Sequence, residues 1–180
     1  MVYVFLAEGF EECEALAPVD ILRRGGVEVR TVGVGTKTVV GSHGIPVTCD
    51  ITEDEVVTDG LQAVILPGGM PGTLGLKASE TVRSFLTIAH EQELLIGAIC
   101  AAPSVLGSMG FLKGKRAVCY PGFENELLGA EVVNESVVRD GQIITAVGAG
   151  AAFAFGLALL AALKDEKQAE KIRGSMKITG

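Results

Sequence analysis

Leu94-Leu95-Ile96-Gly97-Ala98-Ile99-Cys100-Ala101-Ala102-Pro103-Ser104-Val105-Leu106 is the stretch on which the fold turns. Its apolar run is too short for a membrane helix. Polar sequence before it and Pro103 after it give the pattern of a strand buried on both faces. Pro103 suits the first turn of a helix, where a missing N–H costs nothing, and Val105, Leu106, Met109 and Leu112 continue at helical spacing. Cys100 therefore stands at a strand-to-helix junction. Free N–H groups and the positive end of the helix dipole at such a junction favour the thiolate, the reactive form of the side chain. Ala98 and Ala102, two residues to either side, supply the small neighbours that a nucleophile elbow needs. The plainer reading, a buried cysteine acting as a small hydrophobe, has no use for that placement.

Working outward, the 180 residues are 48% apolar, which suits one domain spanning 1–180 with a sheet covered by helices. A net charge of −7 disfavours nucleic acid as a partner, and no stretch interleaves lysine and arginine with aromatics. The start of the chain, Met-Val-Tyr-Val-Phe-Leu-Ala, lacks a basic region before its apolar run, so it reads as a first strand and the protein is expected in the cytoplasm, off the membrane. Cysteines at 13, 49, 100 and 119 form no C-x-x-C pair and no ligand-like spacing with His43 or His90, so neither a disulfide framework nor a metal site is expected.

Residues 2–7 read as a strand. The next segment, 8–14, carries four carboxylates where a helix should begin, and acidic residues in a first turn complement the dipole. Pro18 cannot donate to the carbonyl of Glu14, which predicts a kink or restart there, and Gly25-Gly26 stop the helix. Residues 27–34 read as a second strand, and 38–40 with 45–47 as a hairpin whose loop holds His43. Residues 61–66 form a further buried strand ending at Pro67-Gly68-Gly69, where paired glycines expose backbone N–H groups. The ends at Gly68-Gly69 and Cys100-Ala101 are both carboxyl ends of parallel strands, where open α/β sheets place their ligands, and could share one pocket.

Residues 81–94 read as a surface helix with His90 facing solvent or the dipole. A strand at 116–120 and a helical turn at 125–128 follow. Strands at 131–133, 136–139 and 142–147 come next, the last two joined by an Asp140-Gly141 hairpin turn. Gly148-Ala149-Gly150 lacks the third glycine of a dinucleotide fingerprint and reads as tight packing before an apolar helix at 151–163, and 164–173 as a charged, exposed helix.

Ala-Glu-Gly-Phe-Glu-Glu-Cys-Glu (7–14), Pro-Val-Asp-Ile-Leu-Arg-Arg (18–24), Leu-Pro-Gly-Gly (66–69), Ala-Ile-Cys-Ala-Ala-Pro (98–103) and Gly-Ala-Gly (148–150) together resemble the ThiJ/PfpI superfamily, in its Parkinson-disease-protein deglycase branch. The resemblance covers nearly the whole chain. It implies a flavodoxin-like three-layer sandwich, a mostly parallel sheet with helices on both faces, assembled as a homodimer through the first helix and the His43 hairpin. It implies that Cys100 is the reactive residue, that Glu14 hydrogen-bonds it, and that the N–H groups of Gly69 and Ala101 are oxyanion donors, with Gly68 and Tyr120 beside the pocket.

The activity so implied is cofactor-independent: attack of Cys100 on a small dicarbonyl, or on its early adducts with thiols and amines, with Glu14 moving protons. A redox sensor or oxidative-stress chaperone in which Cys100 is oxidised is the alternative. Thiazole-phosphate-related and cysteine peptidase roles rank behind both. Relatives often have histidine where this chain has Tyr120, and a phenol is a poor base at neutral pH. The protease-like branch has histidine where this chain has Ala101.

Overall fold

The computed structural model describes residues 1–179. In chain order its elements begin with β1 (Val2–Leu6), α1 (Glu12–Arg24), β2 (Val29–Gly33), β3 (Thr38–Val40), β4 (Pro46–Thr48), β5 (Ile51–Thr52) and β6 (Ala63–Leu66). They continue with α2 (Gly72–Ala78), α3 (Glu80–Glu91), β7 (Leu95–Ile99), α4 (Pro103–Ser108), β8 (Arg116–Ala117), β9 (Glu131–Val132), β10 (Val137–Asp140), β11 (Ile143–Ala146), α5 (Ala152–Leu163) and α6 (Glu166–Met176). Seven strands form one sheet in the order β10-β11-β7-β6-β1-β2-β5, parallel except for β10. The predicted architecture, a mostly parallel sheet with helices on both faces, is the one observed.

Alternation along β1 explains the two layers. Val2, Val4 and Leu6 face the core shared with α1, α5 and α6, while Tyr3 and Phe5 face the core under α2, α3 and α4. Successive side chains of a strand point to opposite faces, so a strand apolar throughout must be covered twice. Chain order reverses direction across the sheet between β1 and β6, a switch point that leaves a crevice at the strands' carboxyl ends.

Four expectations need correction. Helix α1 runs unbroken through Pro18. The proline is buried against α5, where Gly156 has no Cβ to meet the Pro18 Cα, and this helix pairing holds the geometry that the lost hydrogen bond would weaken. His90 stands in the last turn of α3, where a dipole partner is expected, but it is only partly exposed: its ring stacks on Phe111 at 4.0 Å, and its buried Nδ1 has no hydrogen-bond partner among the described residues. Helix α6 is not wholly exposed, because Ala169 and Ile172 are buried in the core beneath it. The strand expected over 116–120 shortens to β8, and residues 118–120 turn toward the crevice instead. Helix α2 is unannounced by its sequence, since Gly72 and Gly75 within seven residues are poor helix formers.

Candidate active site

Four strand ends meet in the crevice: those of β1, β6, β7 and β11. Cys100, directly after β7, has φ +64°, a left-handed conformation that is costly for a residue with a side chain. Neighbours hold it there. Its N–H donates to the Ala146 carbonyl at 2.9 Å and its own carbonyl accepts from the Tyr120 N–H at 2.9 Å. The turn aims the sulfur at the first turn of α1, as the elbow reading requires.

Glu14 is only 1% exposed. Its Oε2 accepts the Gly68 N–H at 2.9 Å, the Ala149 N–H also bonds the carboxyl, and the group shares a hydrogen bond with the Cys100 thiol. The N–H groups of Ala101 and Gly69 hydrogen-bond the sulfur. A Cβ at Gly68 would lie 2.7 Å from both the Cys100 Cβ and Glu14 Oε2, so thiol and carboxyl can approach each other only across a glycine. Cys100, Glu14, Gly68, Gly69 and Ala101 are thus brought together. Tyr120 stands at the rim, half exposed, its ring beside Gly148.

Burial pushes the Glu14 carboxyl up to about 7, against the pull of its bonds to Cys100 and Gly68, and the Glu11 charge adds to the rise. Burial also pushes the Cys100 thiol up to about 12, reinforced by the charge and hydrogen bond of Glu14 and opposed by the Ala101 and Gly69 N–H groups. Burial is the first cause of both rises, and the repulsion within the pair falls on the thiol, whose ionisation beside the Glu14 carboxylate would enclose two negative charges. The expectation that the helix terminus favours the thiolate is therefore corrected. Helix α4 opens with Pro103, which has no N–H, and burial of the thiol, with the Glu14 carboxylate added to it, outweighs the dipole. Once Glu14 holds the proton, its repulsion vanishes and its O–H can donate to the sulfur, so the thiolate becomes accessible by transfer within the pair.

The acidic turn is not three copies of one role. Glu11 is the N-cap of α1, its Oε2 accepting from the Glu14 N–H at 2.7 Å. Glu12 fastens the β3–β4 hairpin, accepting the His43 N–H and the His43 Nδ1 side, both at 2.9 Å. Burial alone would raise the Glu12 carboxyl, but these bonds hold it down at about 2, and the same contact raises His43. Glu11, Glu12 and His43 are also the described residues whose ligand atoms come close enough, within 4.8 Å of one another, to hold a metal ion. That proximity arises through the hairpin, which spacing along the chain does not reveal. Glu12 and His43 already satisfy each other.

Two site residues were missed. Gly148 and Ala149, read as packing, follow β11 and close the site on its fourth side, Ala149 through its N–H to Glu14. The available signal was the pairing of β11 beside β7, which puts residues after Ala146 at the same carboxyl edge as Cys100.

The chain matches the DJ-1/PfpI family over residues 1–162. It is 34% identical to Protein dj-1beta of Drosophila melanogaster over 172 residues, 94% of this chain and 92% of that protein. It is 29% identical to Glutathione-independent glyoxalase DJR-1.2 of Caenorhabditis elegans over 167 residues, 92% of this chain and 89% of the relative. The structure of oxidized Toxoplasma gondii DJ-1 superimposes with a TM-score of 0.95 at 34% identity, covering 99% of this chain and 98% of that one. No helix among the described residues is long and apolar enough to cross a membrane.

Proposed function

Because the chain belongs to the DJ-1/PfpI family, we propose that it is a cofactor-independent thiol enzyme acting on reactive dicarbonyls or their early adducts with thiols and amines. The observation that carries this reading is the buried Glu14 carboxyl, raised to about 7 and hydrogen-bonded to Cys100. A group poised near neutral pH beside a nucleophile can accept and return a proton within one cycle.

With methylglyoxal, the Cys100 sulfur attacks the aldehyde carbon while its proton passes by way of Glu14 to the carbonyl oxygen, giving a hemithioacetal. The Gly69 and Ala101 N–H groups stabilise the oxyanion as it develops. Glu14 then removes the proton from the former aldehyde carbon and returns it to the neighbouring carbon through an enediol. The first carbon is oxidised to a thioester and the second reduced to an alcohol. Water cleaves the thioester, releasing lactate and restoring the thiol. Electrons move only between adjacent carbons, so the sum is methylglyoxal plus water giving lactate.

A chiral assay for lactate formed from methylglyoxal tests this directly. Wild type should turn over, Cys100→Ser should be inactive, and Glu14→Gln should lose at least ~100-fold in rate, the scale of a general acid–base group. Full activity in Cys100→Ser would end the proposal.

The second reading is a redox role, favoured by the same donors: N–H groups at Gly69 and Ala101 and a protonated carboxyl could hold a sulfinate at Cys100. Intact mass after graded peroxide, with no lactate formed, is its signature. Assembly as a homodimer fits apolar side chains exposed at Leu16 on α1, Ile45 on the hairpin and Phe153 on α5, and light scattering checks it.

A further inference from the structure

Strand β11 reads Ile143-Ile144-Thr145-Ala146, wholly buried, and Thr145 is its one polar side chain, 1% exposed. The strand lies inside the sheet, where Thr145 pairs with Val138 of β10 on one side and Ala98 of β7 on the other. Valine has nearly the same shape and suits a strand as well, so a hydroxyl enclosed here calls for a partner.

That partner is the main chain of the segment that turns toward the crevice. Strand β8 ends at Ala117, so no ladder holds the next N–H, and the buried Val118 N–H donates instead to Thr145 Oγ1 at 3.0 Å. Two residues on, the Tyr120 N–H donates to the Cys100 carbonyl at 2.9 Å. The residue after Thr145 grips the other side of the same turn, because the Ala146 carbonyl accepts the Cys100 N–H at 2.9 Å. Consecutive residues of β11 thus hold the elbow from both sides, Ala146 directly and Thr145 through a strap of three residues, 118–120.

We propose that Thr145 is a positioning residue for Cys100: its hydroxyl fixes the strap, and the strap holds the left-handed turn that aims the sulfur at Glu14. A side-chain-bearing residue at φ +64° stays there only while its surroundings over-determine it. Without the Thr145 oxygen the Val118 N–H is buried and unpaired, and the strap shifts to recover a partner. The Cys100 carbonyl then loses its donor, the turn relaxes, and the sulfur leaves the Gly69 and Ala101 N–H groups. This role deepens the proposed function and rests on it for taking Cys100 as the reacting group, but the thiol reports it without turnover.

The test measures iodoacetamide alkylation of Cys100 in the full chain by peptide mapping, each rate divided by that of the exposed Cys13 in the same molecule. Thr145→Val keeps the shape and removes the acceptor, and should slow Cys100 by about fivefold or more, the scale of one lost buried hydrogen bond. Thr145→Ser restores the acceptor and should return the rate to within about twofold of wild type. Ile143→Val, on the same face of β11, is the control: it lowers Tm by thinning the core and should leave the Cys100 rate alone. In lactate formation Thr145→Val should lower kcat and leave KM nearly unchanged. Hydrogen exchange of the wild type needs no variant to fold, and there the Val118 and Tyr120 N–H groups should be protected and open together. A Cys100 rate in Thr145→Val equal to or faster than wild type would overturn the proposal, as would a Thr145→Ser rate as slow as that of Thr145→Val. So would a Tyr120 N–H that exchanges freely while the Val118 N–H stays protected. If wild type forms no lactate while alkylation and exchange come out as expected, the proposed function fails and the role of Thr145 stands.

Discussion

Replacing Glu14 by glutamine should make the protein more stable at neutral pH while disabling it. The side chain is buried and its carboxyl is raised from 4.5 to about 7, so the folded state binds this proton more tightly than the unfolded chain does. The sign follows: its contribution is fully present below about pH 4.5 and is lost as pH rises through about 7. With each tenfold difference in proton affinity worth about 1.4 kcal/mol, the ionisation of Glu14 weakens the fold by roughly 3 kcal/mol between about pH 4 and pH 7.5. A glutamine cannot ionise, its carbonyl oxygen can still accept the Gly68 N–H, and its amide can still donate toward Cys100. Urea unfolding of both proteins across that range, at one protein concentration because any assembly shifts the equilibrium, isolates the effect, since other titrating groups cancel in the difference. Glu14→Gln minus wild type should climb by ~2–3 kcal/mol from acid to neutral pH. A flat difference would refute the assignment of a high proton affinity to Glu14, and with it the proton-shuttle argument.

Glu12→Gln should act in the opposite direction. Its carboxylate is held at about 2, so its contribution is present above about pH 4.5 and lost as pH falls toward 2, and removing it should cost roughly 1–3 kcal/mol at neutral pH by loosening the His43 hairpin; thermal unfolding at neutral and acid pH checks both. Gly68→Ala places a Cβ 2.7 Å from the Cys100 Cβ and from Glu14 Oε2, and should slow lactate formation far more than it lowers the melting temperature, because the pair it separates is the site. His90→Leu should cost less than about 1 kcal/mol by denaturant unfolding, since it removes a buried nitrogen that has no partner and keeps apolar contact with Phe111.

These outcomes bear on what a chain of residues can disclose before it is folded. Strand-and-helix alternation, the elbow at Cys100 and the glycine pair at 68–69 were legible because each depends on local periodicity or on a conformation that few residues tolerate. The meeting of Gly68 with Cys100 follows from the rule for carboxyl ends, whereas the pairing of β1 with β6, across the residues between Leu6 and Ala63, is visible only in the fold. Glu12 and His43 were not legible as partners, because 31 positions separate them and only the β3–β4 hairpin brings them to 2.9 Å. Ala149 was read as packing because its contribution is a backbone N–H, which every residue but proline possesses and which matters only by direction. The thiol shows the same limit most sharply. Counting donors at a helix start argues for a thiolate, whereas enclosure with Glu14 argues against one. Enclosure wins because desolvating a charge costs more than a short helix terminus returns. The reactive form of Cys100 is consequently a property of the pair: it depends on where one proton resides between sulfur and carboxyl, and so on a residue 86 positions away that local sequence around the elbow does not contain.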